Sequence, residues 1–182
     1  AAFIVTIGLF SFCLAEEPAD SYQKKTKSFF TFFKDGVKIL SKDKNFKYLY
    51  SVRVFLGITA ALEPFYMIYA VRVLGLSGSS VGFMIASRMT GLVSSNFLWN
   101  YIAKKKSVRH VLVAASAIGV FIPLIAYASS HNPMILYFLF FFAGIFYSGI
   151  QVGATSLLLT IAPDEKRPTY IGFFNTMIAP VY

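Results

Sequence analysis

Cysteine occurs once, at Cys13, so no disulfide can close within this chain, and its place in an apolar run makes it a small packing residue. Acid is scarce too: eight Asp and Glu stand against 17 Lys and Arg. Charged residues of both signs make up 14% of the chain, about half the share of a soluble domain. The two histidines lack company: His110 closes a basic stretch and His131 sits in a short polar one. H-E-x-x-H and G-x-S-x-G are both absent. No catalytic centre, metal site or cofactor is therefore expected. An initiator Met is missing as well, and the last residues, TMIAPVY, stop inside an apolar run. The chain is expected to be the middle of something longer.

What is present is apolar sequence, 57% of the residues, with a mean hydropathy of +0.64. The basic residues fall between the apolar runs, and they alternate in strength. Eight lie in 16–47, Arg72 stands alone in the next gap, four lie in 104–110, none in 130–133, and two in 163–168. Basic loops are retained on the cytoplasmic side, so this alternation reads as a polytopic membrane protein. Loops 16–47, 104–110 and 163–168 are expected to be cytoplasmic, at a bacterial inner membrane. The net charge of +9 then answers to anionic headgroups, at about 1 kcal/mol per Lys or Arg, and not to nucleic acid. The fold class is all-α, a transmembrane helix bundle.

Four full spans are expected at 48–71, 81–103, 111–129 and 134–162, the last opened by Asn132 as N-cap and Pro133 in its first turn. A partial span runs over 169–182. Residues 1–15 are too short to cross a core of about 30 Å. They suit a signal peptide in length, but lack a basic n-region and would export the lysine-rich segment that follows. A truncated transmembrane helix is the expectation. Within the 16–47 loop, Phe29, Phe33, Val37 and Leu40 recur at helical spacing opposite Lys34, Lys38 and Lys42. Residues 28–41 thus read as an amphipathic helix on the membrane surface, weakened by Gly36. Ser87, Gly91 and Ser95, and again Gly149 and Gly153, recur every four residues, as where helices touch closely in lipid.

Three charges fall inside spans: Arg53, Glu63 and Arg88. Such charges face a cavity or a partner. With midpoints near residues 60 and 92, Glu63 and Arg88 sit within roughly 2 Å in depth, so a pair between them is open. Arg53 lies about 10 Å to the cytoplasmic side. A Glu63–Arg88 pair either locks two helices or places a proton or cation acceptor beside a kink at Pro64. Asn96, Gln151 and Asn175 offer donors and acceptors to a substrate, or bridge helices. Tyr48, Tyr127 and Tyr137 suit interface anchors.

The stretch Phe97–Leu112 resembles the G-x-x-x-D-R-x-G-R-R loop of the major facilitator superfamily, with the basic positions kept as Lys105 and Arg109. It departs where Asn100 replaces the first Gly, Lys104 the Asp and Ser107 the second Gly. Pro163, Arg167 and Gly172 are similar to the P-x-x-x-R-x-x-x-x-G junction before helix eleven, and Asn45–Tyr48 resembles the start of helix seven. The resemblance assigns 1–15 to the end of helix six, and the rest to the central loop and helices seven to eleven. It implies a secondary transporter working by alternating access, with an N-terminal half of the same parent chain, a lipid bilayer and a small-molecule substrate as partners, and protons as coupling ion. Substrate or ion contacts are expected at Glu63, Arg88, Arg53, Asn96 and Gln151, and cytoplasmic gating at Lys105, Arg109 and Arg167. The alternatives are a subunit of another permease, a channel, or a membrane-embedded enzyme.

Overall fold

Capping residues and prolines set where the helices begin and end. The computed structural model describes residues 29–181; the apolar run 1–15 with Cys13, the segment up to residue 28, and Tyr182 lie outside the described residues. Helix α1 spans Phe29–Lys42 and ends at Asp43, whose carboxylate Oδ1 accepts from the backbone N–H groups of Asn45 (3.0 Å) and Phe46 (3.1 Å). That side chain is the N-cap of α2, Lys44–Ala61. Pro64 has no N–H to continue the ladder, so the helix breaks at Leu62 and resumes as α3, Glu63–Arg72. Together α2 and α3 form a run of 29 residues interrupted at Leu62. Gly75, at φ 65°, turns the chain into α4, Gly78–Lys105. Ser107, in extended backbone, precedes α5, Val108–Ala128, and its hydroxyl is hydrogen-bonded to His110 Nδ1 at 2.9 Å.

Helix α6, Ile135–Ile161, begins later than the Asn132–Pro133 pair suggested. Asn132 instead shapes the turn before it, its Oδ1 accepting from the Met134 N–H at 3.0 Å. After a 3-10 turn at Asp164–Lys166 comes α7, Arg167–Ile178. Among the described residues there is no strand. By length and composition, three runs can cross a membrane: Lys44–Arg72, Val108–Ala128 and Ile135–Ile161. Helix α4, expected as a span at 81–103, has the length, with 28 residues, but its serines, Arg88 and two asparagines make it less apolar than those three.

Helix α6 is the axis. Half of its most apolar stretch is buried, against 22% for α5 and 11% for the α2–α3 run. It packs along α4 and α5 and touches α2 and α7. Its glycines make this possible: a Cβ at Gly144 would strike the Arg88 carbonyl of α4, and one at Gly91 would strike the Phe141 carbonyl of α6. The two backbones meet at reciprocal glycines. One core lies there, around Met84, Trp99, Leu139 and Phe140; the Trp99 Nε1–H donates to the Ile145 carbonyl at 3.0 Å. A second gathers Phe46 with Tyr170, Phe173 and Phe174 between α2 and α7. Outward lie Phe55, Phe65, Phe83, Phe97, Phe121 and Phe138, the reverse of a soluble surface and suited to lipid tails.

Helix α1 forms over the expected residues, and two neighbouring apolar stripes share its surface. Phe32, Ile39 and Leu40 pack inward, and Gly36 lies against the Phe173 ring, where any Cβ would collide. Phe33 and Val37 remain 41% and 45% exposed. Gly36, read as a weakness of the helix, is the point where α1 docks on α7.

Candidate polar site between the helices

Arg53 sits on α2 facing α6, only 6% exposed despite its charge. Its guanidinium donates to Gln151 Oε1 at 2.7 Å, and Gln151 Nε2 donates to the Tyr147 hydroxyl at 3.0 Å one turn back on α6. Over the Tyr147 ring lies the Arg88 guanidinium, 5.3 Å from the centroid, a cation–π contact from α4. Arg88 in turn forms an ion pair with Glu63, the first residue of α3. Arg53, Gln151, Tyr147, Arg88 and Glu63 thus make one string of polar contacts through α2, α6, α4 and α3.

The Pro64 break decides where Glu63 stands. It opens a helix there, so the carboxylate lies at the positive end of α3's dipole and beside the Arg88 cation. The Arg88 and Glu63 side chains keep about a fifth of their surface exposed, at 20% and 19%. That end of the string therefore opens at the surface of the described helices. At the other end, Arg53 and Gln151 wall a cavity of about 100 Å³ with Thr155 and Asn175. Among the described residues, two cations and one anion lie along this string.

Asn96 is not part of the string. Its Nδ2 donates to the Leu92 carbonyl at 3.1 Å, and its Oδ1 accepts from the Ser148 hydroxyl, also at 3.1 Å. It ties α4 to α6 beside the string. The loop cations gather at one end of the bundle, apart from it. Lys105 Nζ donates to the Tyr101 hydroxyl at 3.1 Å, and Arg167 pairs with Asp164 at 2.6 Å. Arg109 lines a groove of about 1110 Å³ with Asp43, Leu49 and Leu112.

Two residues gain weight only here. Tyr147 links the Arg53 and Arg88 ends, and its spacing of four from Gln151 on a helix is the signal that exposes the link. Asp43 caps α2 and also accepts from the Tyr170 hydroxyl at 3.1 Å through Oδ2, holding α7 to the α1–α2 junction. An Asp directly before a helical run is a helix-start signal that the charge count passed over.

The chain matches, over residues 1–180, the family described as the Major Facilitator Superfamily. No curated protein and no solved structure matches it. A match along almost the whole length, on a bundle of apolar helices, settles the family: this chain belongs to the Major Facilitator Superfamily, integral membrane transporters of small molecules.

Proposed function

We propose that this chain forms the C-terminal half of a proton-coupled secondary transporter of the bacterial inner membrane, which moves a small molecule, by efflux in the simplest reading, through alternating access. The observation that carries this reading is the polar string. It joins Arg53 to Glu63 across four helices, in segments where charge is costly without a use. Arg53, Gln151 and Arg88 act as substrate contacts, and Glu63 exchanges the coupling proton while Arg88 holds it in place. Asn96 positions α4 on α6 through Ser148. Lys105, Arg109 and Arg167, gathered at the basic end, serve the cytoplasmic gate against the N-terminal half.

Glu63→Gln removes the titrating group and keeps its shape. In the complete transporter reconstituted in liposomes, it should flatten the pH dependence of transport and uncouple uptake from an imposed proton gradient. An unchanged pH profile removes Glu63 from coupling. Transport that resists a protonophore and follows ATP instead would favour a permease subunit served by an ATPase.

A further inference from the structure

At the basic end of the bundle, the docking of α1 on α7 leaves a cleft of about 770 Å³, separate from the polar string. Its walls come from three elements. Helix α1 supplies Lys38 and Lys42, the start of α2 supplies Lys44, and the turn before α7 supplies Lys166. None of these four ammonium groups has an ion-pair or hydrogen-bond partner among the described residues. Two acids share the walls, Asp35 and Asp43. Both oxygens of Asp43 are already committed, to two backbone N–H groups and to the Tyr170 hydroxyl. Among the described residues its lining is therefore net positive, with four lysines from three elements around one space.

Its depth is also defined. The cleft lies where α2 begins, α6 ends and α7 begins, level with the ends of membrane-crossing helices. On the other flank of α1, Phe33 and Val37 are exposed, an apolar edge that settles into the membrane boundary. Four lysines around one cleft at headgroup depth match a phosphate, and phospholipid is the phosphate present there at high local concentration. We propose that this cleft is a binding site for the phosphate headgroup of an anionic phospholipid, which clamps α1 to the start of α2 and the turn before α7.

The test uses the complete protein in neutral detergent, titrated with phosphatidylglycerol or phosphatidylcholine, with bound lipid counted by native mass spectrometry. Phosphatidylglycerol should be retained and phosphatidylcholine should not. Lys42→Gln with Lys166→Gln, one lysine from α1 and one from the turn before α7, should weaken retention by about thirtyfold. Lys42→Arg with Lys166→Arg should restore it, which separates charge from folding. Lys105→Gln with Lys106→Gln, in the other basic turn, should leave it unchanged. If the double Gln variant does not fold, Lys166→Gln alone should cost about fivefold. Equal retention of both lipids, or no response to the Lys42 and Lys166 changes, overturns the site. Displacement of the lipid by millimolar inorganic phosphate would also overturn it, by assigning the cleft to a soluble phosphate compound.

Discussion

A carboxylate and a guanidinium in contact inside a membrane serve either structure or transport, and a single residue exchange separates the two. In Glu63→Arg with Arg88→Glu the pair survives with its ends reversed. The fold should hold, since each charge keeps a partner. Transport should fall to background, because the carboxylate now leaves the start of α3 and stands on α4, where no helix terminus supports it. Thermal unfolding and liposome uptake of the double variant read the two effects apart. Recovery of transport would make the pair a helix lock. The pairing itself was legible from depth arithmetic on the two spans. The link through Tyr147 was not, because with 20 Phe and 11 Tyr in the chain no single aromatic position stands out. Arg53 and Gln151 were each singled out by polarity, yet nothing in the sequence says that residues 98 apart meet.

Among elements, α6 decides the packing, and it does so through what its glycines omit. Gly144 and Gly91 each leave a space that a neighbouring backbone carbonyl fills, and a backbone cannot rotate aside as a side chain can. Gly144→Ala should therefore destabilise the bundle by about 1–3 kcal/mol, by overpacking. Gly82, on α4 with Gly91 but with nothing near its would-be Cβ, should behave in the opposite sense. Gly82→Ala should gain roughly 0.4–1 kcal/mol, because it limits the unfolded chain without a clash. Unfolding midpoints of the two variants in one detergent compare them directly; equal losses would contradict the assigned α4–α6 contact. The small-residue spacing at Ser87, Gly91 and Ser95 marked the α4 face that meets α6: Gly91 and Ser95 are buried, and half-buried Ser87 donates to the Tyr137 carbonyl at 2.8 Å. Gly149 and Gly153 are buried against Ala115 and Leu112 of α5, whereas Gly144 belongs to neither pattern. Helix α1 shows the limit of such patterns. Two apolar stripes lie side by side on it: periodicity chose Phe33, Val37 and Leu40, and of these Leu40 packs on the second core with Phe32 and Ile39, while Val37 stays exposed and Phe33 meets the Phe173 ring by its edge. The choice depends on Phe173 of α7, which lies far along the chain.

For the whole molecule, the charge alternation predicts one orientation, with the basic loops in the cytoplasm. Helix α5 connects the two ends, with His110 near the basic one and Asn132 just beyond the other, both exposed. In a Cys13→Ser background, Asn132→Cys should react with a membrane-impermeant maleimide on intact cells. His110→Cys should react only after permeabilisation. The reverse pattern would invert the bundle and place the lysine cleft on the outer face.

The sequence by itself determined the solvent and the class of fold. Scarce charge and long apolar runs leave a bilayer as the only medium in which this chain is soluble, and in a bilayer backbone groups must be satisfied within helices. Loop charges and degraded loop motifs carried the family, because both are local. Only the tertiary structure decided which polar groups share an interior, which face of α1 is buried, and that four lysines from three elements surround one cleft. Those outcomes depend on the rotation of each helix about its axis. In lipid that rotation is set by close packing against neighbours, since both faces of a helix are apolar and no hydrophobic drive tells one from the other.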